Sequence, residues 1–130
     1  MEVSNVDNLE GAFKAAVKGG SAALAVMPSP LVSARPRLIA DMARRHLLPS
    51  IFDLREFVAT GGLASYGPDP AEINRRVAAM VDKILKGAKP ADIPVEQPTK
   101  FELVVNLAAA RQIDLKIPPA LLSGAEKLDK

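Results

Sequence analysis

The sequence predicts an α/β lobe built on a parallel sheet, followed by a strand-helix tail. Three observations carry the α/β prediction. Short apolar runs of strand length alternate with amphipathic stretches of helix length up to Gly87. The run Ala22-Ala23-Leu24-Ala25-Val26-Met27 is continuously apolar, as expected of a strand whose two faces are both buried under helices. Turn-forming residues fall at the junctions, as Gly19-Gly20, Pro28-Ser29-Pro30, Gly61-Gly62 and Gly67-Pro68-Asp69-Pro70. The right-handed crossover rule then folds the successive βα units into a parallel sheet with helices on both sides.

Taken in order, the chain opens on a possible strand end at Glu2-Val3. Ser4 with Asp7 three residues on then forms a capping-box pattern, in which side chains satisfy the free N–H groups of a helix start. The helix runs to about Lys18 with Val6, Leu9, Phe13, Ala16 and Val17 on one face, and Gly19-Gly20 supplies a left-handed exit. After the strand over 22–27, a second amphipathic helix is expected over 31–46, with Pro36 near its first turn and Leu38, Ile39, Met42 and Ala43 as its buried stripe. A strand over 49–52, a short helix over 54–59, a strand over 63–66 and a long helix over 70–86 follow, the last entered after Asp69 and ended by Gly87. Pro90, Pro94 and Pro98 mark an extended connector over 88–98, which separates a lobe (1–87) from a tail (88–130). In the tail, Phe101, Leu103 and Val105 alternate with Lys100, Glu102 and Val104, which reads as a less buried or edge strand over 100–106. A helix over 107–112 and a short one after Pro118-Pro119 complete the chain.

Composition narrows the function classes. Of 130 residues, 48% are apolar and 25% charged, the balance of a folded globular domain. The net charge of +2 comes from scattered Lys and Arg, and the only basic doublets, Arg44-Arg45 and Arg75-Arg76, have acidic residues close by. A nucleic-acid partner, which wants a basic stripe interleaved with stacking aromatics, is therefore not expected. With no cysteine there is neither a thiol nucleophile nor a thiolate metal site, and the carboxylates are too dispersed to suggest a metal cluster. His46 is the single histidine and sits at a helix end, where it suits the C-terminal dipole better than general-base work. No cofactor motif is present, and the chain is read as non-enzymatic. The start of the chain lacks the pattern of an export signal, which as written predicts a cytoplasmic protein.

The run Leu54-Arg55-Glu56-Phe57-Val58, continued by Gly61-Gly62-Leu63 and Ser65-Tyr66-Gly67-Pro68, together with the stretch from Val81 to Leu107, resembles the ABC transporter substrate-binding proteins related to tryptophan-binding lipoproteins. The resemblance covers nearly the whole chain but only the second part of the family's length. It implies the parallel-sheet βα lobe of a type I periplasmic-binding-protein-like fold in truncated form, one of two α/β lobes that together enclose a small, often amino-acid-like, ligand, with a strand-helix tail that crosses back through the hinge. It further implies periplasmic or lipid-anchored full-length members and an ABC permease as partner of such a full-length form.

Independently of family, a parallel sheet offers its ligand-facing loops at the carboxyl ends of its strands. That places Pro28 and Ser29, Phe52 and Asp53, and Ser65, Tyr66 and Asp69 on one rim, with helix starts near Leu31, Leu54 and Pro70 aiming free N–H groups at it. Ser29, Ser65 and Tyr66 offer neutral hydrogen bonds, and Phe52 or Tyr66 a stacking ring. Each has a structural alternative: Phe52 as core, Ser29 and Asp69 as helix caps, Arg55 and Glu56 as solvated helix-start charges. A lone lobe should hold its ligand weakly, since one wall of the cleft is missing. The functional alternatives are a self-associating protein and a small enzyme completed by another subunit. Self-association is expected as a homodimer through 99–113, where an uncovered strand edge and the connector's reach favour exchange of the tail between subunits.

Overall fold

The computed structural model describes residues 8–129. The expected strand end at Glu2-Val3 and the Ser4–Asp7 capping box lie outside the described residues. Local sequence explains the first helix, α1 (Leu9–Lys18): Leu9 and Phe13, four apart and so on one face, are both buried, and the helix stops where Gly19 N–H returns to Ala15 O and Gly20 takes a positive φ of 76°.

The run after it forms less strand than expected. β1 is only Leu24–Ala25, the edge of the sheet; Ala25 is exposed and Met27 is 75% exposed. Apolar content alone cannot tell an edge strand from a central one.

The next helix is also corrected. It divides into α2 (Pro30–Ala34) and α3 (Pro36–Arg45), with Arg35 at φ −138° and ψ 48° between them. The pyrrolidine ring of Pro36 clashes with a helical backbone at the residue before it, so the break falls where proline puts it. Of the expected stripe α3 buries Ile39, Met42 and Ala43 and leaves Leu38 half-buried against the same core, and it adds Ala40.

β2 (Ser50–Phe52), α4 (Arg55–Ala59) and β3 (Ala64–Pro68) follow. β1, β2 and β3 are parallel, with Leu24 beside Ser50 and Phe52 beside Ser65. Their core joins Leu9 and Phe13 of α1, Ile39 and Met42 of α3, Phe52 of β2 and Phe57 of α4. Phe52 and Phe57 stack with ring centroids 3.4 Å apart. Burying a side chain such as Phe57, which is 1% exposed, contributes about 1.5–3 kcal/mol.

After β3 come α5 (Pro70–Leu85), ended by Gly87 at φ 102°, a 3-10 turn at Pro90–Asp92, and an extended connector. β4 (Phe101–Asn106), α6 (Leu107–Gln112), α7 (Pro119–Leu122) and β5 (Ala125–Leu128) finish the chain. The sheet order is β1-β2-β3-β4-β5. Asp69 N–H donates to Lys100 O and Asn106 N–H to Leu63 O, so residue numbers fall along β4 as they rise along β3. The two strands are antiparallel, while β5 runs parallel to β4. The fold is thus an α/β, mostly parallel sheet with a reversal at its fourth strand.

The edge-strand expectation for 100–106 is overturned: β4 has a strand on each side, and Val104 and Val105 are 1% and 3% exposed. The cause is β5, which the sequence reading did not foresee and which takes the edge instead. The exposed strand edge on which a tail-exchanged dimer through 99–113 would rest is therefore filled within this chain. A second apolar cluster gathers Leu63 with Ala109 and Ala110 of α6.

The described chain forms two compact units. One comprises the residues up to Gly67 and those from Leu103 onward; the other is Pro68–Glu102. The compositional boundary at Gly87 falls inside the second unit. In that unit Asp69 caps α5 by accepting from Ala71 N–H and pairs with Lys100 at 2.7 Å, and Arg76 reaches Glu72, Glu96, Gln97 O and Thr99. Among the described residues, no helix is long and apolar enough to cross a membrane.

Candidate functional site

Six of the expected rim residues, Pro28, Ser29, Phe52, Asp53, Ser65 and Tyr66, lie in the first unit on or just after β1, β2 and β3, each in a distinct environment. Pro28 is exposed, and Ser29 is the N-cap of α2, its hydroxyl accepting from Val32 N–H at 3.2 Å. Phe52 is 5% exposed and belongs to the core stack with Phe57, so its ring is structural. Ser65 and Tyr66 are neighbours in sequence on opposite faces of β3, as the two-residue strand period requires: Ser65 is buried and Tyr66 is 55% exposed. The structure thus turns one of the two toward the packed interior and the other toward solvent.

Asp53 is the most informative member. It follows β2 directly, and its Oδ1 is shielded from solvent without a hydrogen-bond partner among the described residues. A shielded carboxylate oxygen left without a donor costs about 1–3 kcal/mol or more, so this atom is a ready acceptor for a donor group. The backbone beside it is tightly fitted. A Cβ built on Gly67 would stand 1.9 Å from Asp53 O, so only glycine permits β3 to pass the end of β2 this closely. A neighbouring cavity of about 40 Å³ is lined by Val32, Ser33, Pro36, Phe52, Asp53 and Leu54, among others. That volume holds water-sized groups, an order of magnitude below the ~300 Å³ at which small-molecule pockets begin.

Asp69, in the second unit, has both carboxylate oxygens engaged, one by the Ala71 amide and one by the Lys100 ammonium. The Lys100 hydrogen bond, opposed by burial, holds its carboxyl below the ordinary aspartate value. The chemistry is that of a helix start clamped by a lysine.

One feature of the first unit was not predicted. A groove of about 270 Å³ lies between Arg55, Glu56, Val58 and Ala59 of α4 and Asn106 and Leu128 of the last two strands. Two of its polar groups have partners within the chain: Arg55 pairs with Glu126 at 2.8 Å, and Asn106 caps α6 through Ala109 N–H. An asparagine directly ahead of Leu107-Ala108-Ala109-Ala110 is an N-cap signal that marks this end of the groove in sequence. His46, at the C-terminus of α3, stacks on Phe13 and lies 3.7 Å from Glu10, at the amino-terminal end of β2 and so away from the rim. Among the described residues, no group of three or more His, Cys, Asp or Glu is placed to hold a metal ion.

Three solved structures similar to the chain are substantially longer than it. A conserved domain protein from Vibrio cholerae O1 biovar El Tor is 25% identical, with a TM-score of 0.83 over 95% of this chain and 41% of its own. A substrate binding protein with adhesive properties from Clostridium difficile, in a ligand-free, open structure, is 20% identical, with a TM-score of 0.72 over 98% of this chain and 42% of its own. The ABC domain from Streptococcus pneumonia in complex with L-Trp is 22% identical, with a TM-score of 0.84 over 99% of this chain and 43% of its own. The chain therefore spans less than half the length of each. No curated protein matches it. The family model for ABC transporter substrate binding proteins matches residues 1–128, and the chain belongs to that family.

Proposed function

We propose that the chain is one lobe of the solute-binding component of an ABC-type uptake system: a non-catalytic half-cleft for a small, amino-acid-like ligand. The observation that carries this reading is family membership over essentially the whole chain, and the L-Trp bound to the Streptococcus relative supports the ligand class. The rim of the first unit fits the role. Asp53 Oδ1 suits the ammonium of an amino acid, and the exposed ring of Tyr66 suits stacking on an apolar or aromatic side chain. Pro28, Ser29 and Ser65 complete that rim with backbone and hydroxyl groups, while Phe52 supports it from beneath. A full-length receptor of this kind is exported, held in the periplasm or by a lipid anchor, and delivers its ligand to an ABC permease.

A lone lobe binds weakly, because a ligand walled on one side keeps much of its surface in water. Isothermal titration with L-tryptophan, other amino acids and small aromatic carboxylates tests this. Weak heats that vanish in Asp53→Asn or Tyr66→Ala are expected, and tight binding by the monomeric chain contradicts the half-cleft. A second reading, a self-associating protein without ligand function, is favoured by an apolar face of α5 on which Val77, Val81, Ile84 and Leu85 are 52%, 48%, 41% and 81% exposed. Light scattering on the purified chain decides between them.

A further inference from the structure

The small cavity beside Asp53 combines a narrow volume with one sign of charge. Its polar lining is Ser33, Asp53 and Glu56, and the rest of its wall, which includes Pro36, Phe52 and Phe57, comes from apolar residues. Both charged members are carboxylates. Asp53 Oδ1 is shielded from solvent and has no hydrogen-bond partner among the described residues. Glu56 is exposed, and its neighbour Arg55 is committed to Glu126 at 2.8 Å. Arg35 and Arg37, on either side of Pro36, are exposed and stand outside the lining.

Two carboxylates along one cavity call for a cation that can donate hydrogen bonds. A charge-assisted bond is about twice as strong as a neutral one, and it would satisfy an oxygen that is otherwise left bare at a cost. An ammonium group meets both demands. Volume then decides which kind of ammonium enters. The cavity measures about 40 Å³, room for roughly two or three water-sized groups at ~10–15 Å³ each. An aminomethyl end fits that space. An α-carbon that carries ammonium and carboxylate together does not, and it would also press its carboxylate against Glu56, a like-charge contact.

The geometry points to a cavity that takes the end of a primary amine whose amine-bearing carbon carries no carboxylate, with Asp53 accepting from the ammonium and Glu56 excluding carboxylated analogues. Alkylamines, arylalkylamines such as tryptamine, and diamines make up this class. The inference rests on the rim reading above, in which Asp53 meets the ligand's ammonium, but it concerns the cavity alone and is tested with probes small enough to need no second lobe.

Methylammonium and glycine, which differ by a carboxylate on the amine-bearing carbon, are the first pair of probes; tryptamine and L-tryptophan are the second. Backbone amide resonances of the isotope-labelled chain at residues 53–57 are followed during titration. Methylammonium chloride should move them saturably, with half-saturation at ~10 mM, near the limit for so small a ligand. Glycine and potassium chloride should leave them in place. Tryptamine should bind roughly tenfold more tightly than L-tryptophan. Glu56→Gln should narrow both preferences, and Asp53→Asn should abolish the methylammonium shifts. The absence of a saturable methylammonium shift overturns the inference, and so do equal shifts with potassium, which assign the cavity to inorganic cations. Tighter binding of glycine or L-tryptophan that is lost in Arg35→Ala overturns it as well, because the ligand carboxylate then sits on Arg35. Absent heats with every amino acid, by contrast, remove the half-cleft reading alone, and a saturable methylammonium shift in the same chain still supports the amine cavity.

Discussion

α3 and α5 are written alike and end up differently. Each begins with proline at its first helical position, where the missing N–H costs nothing, and each has an apolar face opposite a charged one. α3 buries four residues, Ile39, Ala40, Met42 and Ala43, in the core beside β2; α5, more than half as long again, buries none. The difference teaches that amphipathicity records a demand for burial and says nothing of whether the same stretch of chain meets it. In α3 the demand is met by Phe13, Leu48 and Phe52, while in α5 the charged half is tied down through Arg76 and Val77, Val81 and Leu85 stay exposed.

The largest test of the contrast is one substitution made in both helices. Ile39→Ala, at 2% exposure, should cost about 2–5 kcal/mol, because it leaves a cavity in a packed core. Ile84→Ala, at 41% exposure, should stay within about 0.5 kcal/mol in the same chain. Urea unfolding followed by circular dichroism reads both, and equal losses would show that α5 is covered after all.

Glycines sharpen the comparison at a smaller scale. Gly67→Ala forces a methyl group against Asp53 O in the first unit, so strands must move, and a loss of about 1–3 kcal/mol is expected. Gly87→Ala, with nothing within 4 Å but a φ of 102°, should lose about 1–2 kcal/mol through backbone strain alone. A shifted Tyr66 environment, read by intrinsic tyrosine fluorescence, should accompany only the first. Its absence in Gly67→Ala would mean that the β2–β3 rim is looser than the geometry states.

The smallest effect is acid sensitivity confined to the second unit. Lys100 holds the Asp69 carboxyl below its ordinary value, and Arg76 does the same for Glu72, with burial opposing in both. Groups whose pKa is lowered by folding contribute stability above their unfolded values, near ~4, and that contribution disappears as pH falls through the lowered values. Lys100 and Arg76 are raised by the same contacts, so their contribution is intact below their unfolded values and is lost only as pH rises through the raised values in strong alkali. Amide exchange corrected for intrinsic rate should show α5 loosening below about pH 4 while α3 remains protected. Loosening of α3 at the same pH would mean that the two helices unfold as one.

Much of the fold was legible because its signals are local. The apolar spacing of Leu9 and Phe13, the stripe on α3, the glycine exits at Gly20 and Gly87 and the order of strands and helices all follow from periods of 3.6 and from backbone constraints of single residues. The family resemblance lay in two stretches, Leu54 to Pro68 and Val81 to Leu107, that keep their meaning in any context. The rim was legible as a place, since carboxyl strand ends and helix starts are fixed by chain direction.

Membership within that rim was decided only in three dimensions. Phe52 is core because Phe57 returns to stack on it, Tyr66 is outward because Ser65 beside it is inward, and Asp69 is occupied because Lys100, 31 residues away, closes on it. β4 became interior because the weakly patterned Ala125–Leu128 supplied a further strand, and α5 stayed bare because no described residue supplied a layer for it. Sequence by itself determined what each segment can form and which side it needs covered, because those depend on neighbours one turn away. Only the tertiary structure decided what does the covering, because burial is a property of residues distant in the chain and is settled by which of them are present to pack.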